Sequence, residues 1–364
     1  MREFILEDLV RPNIRAFKPY STARNEFSCP EKIDDYVFLD ANENSLGSVL
    51  QGSGGNNRYP DPVQRRLKSK LAQLKGVLPE NIFFGNGSDE AIDLLLRIFC
   101  QPGQDRIVVL QPTYGMYEVA AHIQDVAVCK VLLTSDFQLD SQRVLQAIDP
   151  QTKLVFICSP NNPSGNCFER TAIERILTNF NGVVVLDQAY IDYSSENSFL
   201  DVLNNFPNLV ILETFSKAWG LANLRVGMAF ASPAIIALLN KIKAPYNLSG
   251  LVQDALYAAL DNVALKENMA RETIKERHEL EEILSSFSFV LKVFPSDANF
   301  LFVAAQQSKK IYYWLLANRI VVRYRSQIEL CQDYLRITVG TAGENKRLVS
   351  ALQEYEAQAG EVRI

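Results

Sequence analysis

The residues best suited to do chemistry are Ser216, Lys217 and Arg225, carried by Thr214-Phe215-Ser216-Lys217-Ala218-Trp219-Gly220-Leu221 and the arginine shortly after it. They follow directly on the apolar run Leu209-Val210-Ile211-Leu212. A lysine amine becomes nucleophilic when desolvation or a nearby cation lowers its pKa. An arginine offers phosphate oxygens a permanently charged fork. Together they suit a phosphorylated aldehyde held as an imine, with Lys217 on the aldehyde and Ser216 and Arg225 on the phosphate. The plain alternative is a surface lysine after a strand, and the remaining constellations weigh against it.

Five further segments, and Arg323, supply matching groups. In Gly85-Asn86-Gly87-Ser88-Asp89-Glu90, glycines lead into a helix start. Free N–H groups there favour an anion at Gly87, Ser88 and Asp89, although an ordinary capped helix reads the same way. Cys158-Ser159-Pro160-Asn161-Asn162-Pro163-Ser164-Gly165 follows a strand, where open α/β sheets bind ligands. Asn162 offers an amide donor to a phenolate-type oxygen; a bare Asn-Pro turn is the alternative. In Val183-Val184-Val185-Leu186-Asp187-Gln188-Ala189-Tyr190, an acid ends a buried strand, which is costly without a partner. A protonated pyridine nitrogen would be that partner for Asp187, with Tyr190 on the ring oxygen. A helix cap or Mg²⁺ are the alternatives, and no second acid in the motif supports the metal. Tyr114, in Gln111-Pro112-Thr113-Tyr114, either stacks on a flat cofactor or packs in the core. Arg336, within Leu335-Arg336-Ile337-Thr338-Val339, calls for an anion such as a substrate carboxylate, and Arg323 is a second anion-binding candidate or a surface charge.

Other chemistries find little support. The net charge of −5 argues against broad nucleic-acid binding. With only two histidines, His122 expected in packing and His278 on a solvated face, metal hydrolysis and Ser-His-Asp catalysis lack ligands and bases. Lysine is left as the leading base. Cysteines 29, 100, 129, 158, 167 and 331 form no CxxC pair and read as reduced thiols of a cytoplasmic protein. Neither a signal peptide nor a membrane span of about 20 apolar residues is evident.

The elements that must position these groups alternate from about residue 80 to 232. Strands are expected at 107–110, 126–133, 154–157, 183–186, 209–212 and 226–231, with helices at 89–100, 140–147 and 170–180. Continuous β-branched runs between helices predict an α/β fold with a largely parallel sheet covered on both faces. After Pro245 the texture is α+β: a long amphipathic stretch over 250–286, then strands near 289–293, 300–303, 320–323 and 335–339, a helix at 308–318 and a closing helix from 343. A second, smaller domain is expected there.

In this order the motifs resemble the aspartate aminotransferase superfamily of pyridoxal-phosphate enzymes (fold type I), and within it the histidinol-phosphate aminotransferase family. The narrower resemblance rests on Leu9-Val10-Arg11-Pro12-Asn13-Ile14 with Pro19-Tyr20, Leu39-Asp40-Ala41-Asn42-Glu43-Asn44, Arg58-Tyr59-Pro60-Asp61-Pro62 and Ser296-Asp297-Ala298-Asn299-Phe300. It covers nearly the whole chain. It implies a large domain with a mainly parallel seven-stranded sheet over residues 45–245. It also implies an N-terminal arm over 1–44 that contributes to the smaller domain, completed by 246–364. Pyridoxal 5′-phosphate would be the cofactor. Lys217 would be the Schiff-base lysine and proton carrier, Asp187 the partner of the pyridine nitrogen, Asn162 and Tyr190 ligands of the ring oxygen, and Tyr114 the stacking group. Ser88, Asp89, Ser216 and Arg225 would surround the phosphate, joined by Tyr59 from the partner of a homodimer. Arg336 would hold the carboxylate of glutamate, Arg323 and Arg336 the phosphate of histidinol phosphate, and Tyr20 and Asn42 would line or close the pocket. The reaction implied is ping-pong transamination between histidinol phosphate and 2-oxoglutarate. An aromatic aminotransferase and a threonine-phosphate decarboxylase are the alternatives within the superfamily. Asn44-Ser45 stands where Asn-Pro is usual, Gln188 where Glu is, and Asn223 where Gly is. None of these removes a group with a chemical role.

Overall fold

The computed structural model describes residues 4–19, 36–50, 55–325 and 329–361. The chain opens with two short helices, α1 (Leu6–Leu9) and α2 (Pro12–Ala16). The large layer then follows as α3 (Arg65–Lys75), β1 (Ile82–Asn86), α4 (Gly87–Phe99), β2 (Arg106–Gln111), α5 (Met116–Ile123), β3 (Ala127–Leu132) and α6 (Ser141–Ala147). It continues through β4 (Thr152–Cys158), α7 (Arg170–Asn179), β5 (Val183–Asp187), β6 (Leu209–Thr214), β7 (Val226–Ala231) and α8 (Pro233–Ile242). Two helices, α9 (Gly250–Ala259) and α10 (Val263–Ser285), lead to a second sheet. That sheet comprises β8 (Val290–Phe294), β9 (Phe300–Ala305), β10 (Arg323–Arg325) and β11 (Tyr334–Thr338), with α11 (Ser308–Ala317) before β10 and α12 (Ala342–Glu361) closing the chain.

The first sheet has seven strands in the order β1-β7-β6-β5-β4-β2-β3. Strands β2 to β6 pair in parallel, while β7 is antiparallel to both of its neighbours. Side-chain alternation explains why its strands are apolar throughout. Phe84, Val184 and Leu186 enter one core while Phe83, Val183 and Val185 enter the other, so both faces of the inner strands leave water, whereas the edge strand β3 keeps Ala127, Lys130 and Leu132 exposed. Full burial of each such side chain is worth about 1.5–3 kcal/mol. The central strands therefore form a rigid platform, and their carboxyl ends present Cys158, Asp187 and Thr214 side by side. Helices cover both faces. The start of α6 is fixed by Asp140, whose carboxylate accepts the N–H groups of Gln142 and Arg143 at 3.0 and 3.1 Å.

The second sheet is antiparallel, in the order β10-β11-β9-β8. Leu301, Val303, Leu335 and Ile337 on one face pack with Ile311, Leu315, Leu348 and Leu352 from its own helices. The other face turns to the large layer: Phe294 and Phe302 meet Phe137 at ring separations of 5.0 and 5.7 Å. Helix α10 ties the two together. Arg277 is buried and donates from one nitrogen to the carbonyls of Tyr193, at 3.3 Å, and Ala298, at 2.7 Å. Glu276 accepts from the Asn345 amide at 2.8 Å, and Lys266 pairs with Asp192 at 2.8 Å.

Several expectations need adjustment. The strand β1 was hidden because Phe83-Phe84-Gly85 lacks a β-branched run. The amphipathic stretch over 250–286 is two helices, broken at residues 260–262. Among the described residues the N-terminal arm packs on the large layer: Val10 lies in its core and the Arg11 N–H bonds the Ile98 carbonyl at 2.9 Å. His122 is exposed, because the last turn of α5 faces water, and His278 is exposed as expected. Among the described residues, no helix is long and apolar enough to cross a membrane.

Candidate active site

The carboxyl ends of β4, β5 and β6 and the start of α4 enclose a cleft of about 530 Å³, part of it open to solvent. Nine of the residues singled out by their chemistry line it: Ser88, Asp89, Tyr114, Asn162, Asp187, Tyr190, Ser216, Lys217 and Arg225. They come from six separate segments, and only the sheet's topology brings them together.

At the floor lies Asp187, 3% exposed, at the last residue of β5. Its Oδ1 accepts the N–H of Ala189 at 3.0 Å, and its Oδ2 accepts the hydroxyl of Tyr117 at 2.7 Å. Burial is the largest influence on this carboxyl and pushes its pKa up, against the two hydrogen bonds. A buried acid with both oxygens held and its face open to the cleft lacks only a cation. Tyr117 was not foreseen as a site residue. It is fully buried, stacked on Phe156 at 4.8 Å, and has the sequence signature of a core aromatic; its partner stands 70 positions away. Tyr117→Phe keeps the ring and deletes the donor. We expect it to lower the unfolding free energy by about 1–3 kcal/mol, the cost of a buried acceptor left unsatisfied. The acid limb of the pH–activity profile should move to higher pH, because the lost bond is one that holds the carboxyl down. Urea unfolding with a pH–rate profile checks both, and an unmoved acid limb would reduce Tyr117 to packing.

Lys217 projects from the turn after β6, half-buried, with its Nζ 5.4 Å from the centre of the Tyr190 ring. No hydrogen-bond acceptor or carboxylate pairs with it among the described residues. Burial lowers its pKa first, and the charges of Arg336 and Arg225 lower it further. Tyr190 is itself buried, and its phenol is shifted upward by desolvation, so it remains a proton donor at neutral pH.

The opposite end of the cleft is built for an anion. The N–H groups of Ser88 and Asp89 open α4 without an acceptor among the described residues, and the Gly87 N–H bonds the Arg225 carbonyl at 2.7 Å. Gly87 sits at φ +72, and a Cβ there would lie 3.0 Å from the Arg225 guanidinium. Gly227, unmarked by the sequence reading, is needed for closeness: a Cβ on it would fall 2.1 Å from the Ser88 nitrogen. Arg225, in the left-handed region at φ 54, lies 3.7 Å from Asp89 Oδ2. Asp89 also accepts the Tyr114 hydroxyl at 3.1 Å, which fixes that ring at the cleft wall. The Ser216 hydroxyl has no hydrogen-bond partner among the described residues, while its N–H bonds Thr214 Oγ1 at 3.1 Å.

Asn162 is oriented from the second sheet. Arg336 Nη1 bonds its side-chain oxygen at 2.6 Å, and because a guanidinium only donates, that oxygen must face Arg336. The Asn162 amide nitrogen is then left to donate into the cleft. Arg336 also lies over the Phe300 ring at 5.3 Å, and Arg323 stands directly opposite it in the β10–β11 register. Asn42 and Tyr59 do not line the cleft. Asn42 is exposed, and Tyr59 is exposed and stacked on Tyr246 at 4.5 Å. Tyr20 lies outside the described residues.

These groups fit pyridoxal 5′-phosphate. A buried, hydrogen-bonded acid that faces the cleft suits a ring cation, an amine without a partner among the described residues suits an aldehyde, an amide donor suits the ring oxygen, and a helix start crowded by glycine-dependent contacts suits a phosphate. Comparison with known proteins agrees. The family model for class I and II aminotransferases matches residues 34–352. A histidinol-phosphate aminotransferase of Cytophaga hutchinsonii is 51% identical, over 97% of this chain and 99% of the other. The fold is similar to that of a histidinol-phosphate aminotransferase from Sinorhizobium meliloti in complex with pyridoxal-5′-phosphate (TM-score 0.78, 24% identity, 88% of this chain and 90% of that one). It is similar also to an L-threonine-O-3-phosphate decarboxylase from Porphyromonas gingivalis (TM-score 0.70, 23% identity, 82% and 91%), so the fold alone does not select the reaction.

Proposed function

The chain belongs to the class I and II aminotransferases, and from that premise we propose that it exchanges an amino group between L-histidinol phosphate and 2-oxoglutarate, giving imidazole-acetol phosphate and L-glutamate, in histidine biosynthesis. It is an aminotransferase that uses pyridoxal 5′-phosphate. The observation that carries the substrate reading is the arginine-rich face of the second sheet opposite Lys217, which suits an amino compound with an anionic end.

When bound, pyridoxal phosphate supplies an aldehyde carbon that takes up the amino group and a ring that draws electrons from the substrate's Cα. Lys217 holds the cofactor in the resting protein. Its Nζ, whose pKa is lowered by burial and by the charges of Arg336 and Arg225, would be the group that takes the proton from Cα. Asp187 holds a proton on the ring nitrogen through Oδ1 and Oδ2 oriented by Ala189 and Tyr117. Asn162 and Tyr190 donate to the ring oxygen, and Tyr114 covers the ring. Ser88, Asp89, Ser216 and Arg225 hold the cofactor's phosphate, the first two through backbone N–H. Arg336 binds the carboxylate of glutamate, and together with Arg323 the phosphate of the other substrate.

A homodimer is part of this proposal. Tyr59 would reach the partner's phosphate, with Tyr20 and Asn42 closing the pocket, and the bare side chains Leu46 and Val49, 98% and 97% exposed, would be covered by the second copy. The divisions at residues 44 and 245 are proposed on the same footing.

The test is an absorbance spectrum of the cofactor-loaded protein before and after histidinol phosphate, with glutamate formation and CO₂ release measured in parallel. We expect the visible band to disappear with histidinol phosphate and to persist with phenylalanine, and 2-oxoglutarate to be converted to glutamate. CO₂ release from threonine phosphate, without glutamate formation, would overturn the reading in favour of the decarboxylase.

A further inference from the structure

The face of the second sheet that turns to the large layer carries three arginines, and one of them, Arg336, reaches the cleft residue Asn162. Arg323 lies directly opposite Arg336 in the antiparallel β10–β11 ladder, and Arg325 lies two residues along, opposite Tyr334. Side chains two apart on a strand share a face, and a diagonal cross-strand neighbour is within reach of a long side chain. Like charges placed opposite one another repel. None of the three has a carboxylate partner among the described residues. Among the described residues Arg336 has one acceptor, Asn162, which leaves most of its five donors unengaged there. The charges of Arg325 and Arg323 both weigh on Arg336, with Arg325 the greater, although burial is the main cause of its lowered pKa.

Arg325 is the least explained of the set. Its Nε is shut off from solvent and has no hydrogen-bond partner. An arginine serving only as surface charge keeps that nitrogen in water. Tyr334 stands opposite it in the ladder and the buried Cys331 lies close by, and among the described residues no acid answers it. The strand pairing therefore holds a third cation against a repelling pair, with an unanswered donor.

We propose that Arg325 is the third arginine of a subsite for the phosphate end of the amino substrate, selecting a dianion over a carboxylate. This rests on the function proposed above. The chemistry supplies the reason for a third cation. Histidinol phosphate carries a –CH₂–O–phosphate on Cα where glutamate carries a carboxylate. The phosphate bears close to two negative charges at neutral pH, has three acceptor oxygens, and reaches further. One arginine suffices for the carboxylate; the larger anion engages the additional pair on β10.

The experiment compares Arg325→Gln and Arg325→Lys with the parent in the cofactor-loaded enzyme, so that the cofactor's own phosphate site is filled. We expect Arg325→Gln to raise KM for histidinol phosphate about 10- to 100-fold, the range for a lost hydrogen bond to a charged group. The KM for glutamate should stay within about threefold, kcat should change little, and Arg325→Lys should recover part of the loss. Inorganic phosphate, titrated as a competitive ligand by calorimetry, should bind the Gln variant more weakly by a similar factor, and acetate should not distinguish the two. Equal changes with both substrates, or unchanged phosphate affinity, would overturn the assignment. If the parent fails to act on histidinol phosphate, the substrate reading falls. The phosphate titration then judges Arg325 by itself: weaker binding to the Gln variant upholds the anion subsite, and equal binding ends it. A thermal melt guards against misfolding, and partial recovery in the Lys variant shows that the loss follows the charge.

Discussion

Lys217→Ala is expected to lower turnover by about 10⁴-fold or more, since one substitution removes both the cofactor's covalent anchor and the base at Cα. The geometry leaves no understudy. Both histidines are exposed, and the tyrosines of the cleft, Tyr114 and Tyr190, have phenols shifted upward by burial, which makes them poor bases. Borohydride treatment of the loaded variant should fail to attach the cofactor to the chain, as read by mass spectrometry. Single-turnover rates with histidinol phosphate measure the lost chemistry. A variant that turns over at a tenth of the parent rate would refute the role. The same substitution should stabilise the ligand-free protein, because it removes a half-buried ammonium without a partner. The folded-state pKa of Lys217 lies below its ordinary 10.5. The penalty is therefore full below that lowered value and is relieved as pH rises through it toward 10.5. The stabilisation by alanine should shrink over that window.

Asp187→Asn is expected to lower kcat by about 10²- to 10⁴-fold, the range for loss of a proton-holding group in the reacting assembly. The amide is nearly the same shape and can keep a bond to Tyr117, so the change isolates the negative charge. Without it the ring nitrogen loses its proton and the ring withdraws electrons from Cα less strongly. In the proposed reading the substrate carboxylate is held by Arg336, away from Asp187, so KM for glutamate should change far less than kcat. An Asn variant within threefold of the parent in kcat would exclude a charged Asp187 from the chemistry. The ligand-free protein provides an independent readout. The folded-state pKa of Asp187 is raised above 3.8, mainly by burial, so its charge opposes folding at neutral pH. That opposition fades as pH falls through the raised value toward 3.8, and the Asn variant's advantage in thermal stability should fade with it.

The parts of the site that could be read from the chain are those whose chemistry is local. Asp187 announces itself because an acid ends an otherwise apolar strand, and Lys217 because a strand delivers it into a hydroxyl- and glycine-containing turn. The strands β2, β4, β5, β6 and β7 were legible for a related reason: both of their faces are buried, so their β-branched runs are uninterrupted. What stayed hidden depends on distant partners. Tyr117 acquires meaning only from Asp187, and Gly227 only from the backbone of Ser88 pressing on it. Glu276 and Arg277 sit in a run that reads as a solvated helix face, yet both are buried, because Asn345, Tyr193 and Ala298 arrive from other segments to satisfy them. Asn162 was expected as an oxygen ligand, but its orientation by Arg336 could come only from the meeting of the two sheets.

The contacts of Arg277 have a consequence for how the sequence can drift. It grips two carbonyl oxygens, those of Tyr193 and Ala298, and carbonyls are the same whatever residue bears them. The docking of the two layers is therefore written in backbone at those positions and in a single side chain at residue 277. What restrains Tyr193 and Ala298 is a separate matter, the apolar cluster that buries their own side chains with Ala270 of α10. Position 277 answers to the grip itself, and a library at that one residue should return a nearly fixed arginine.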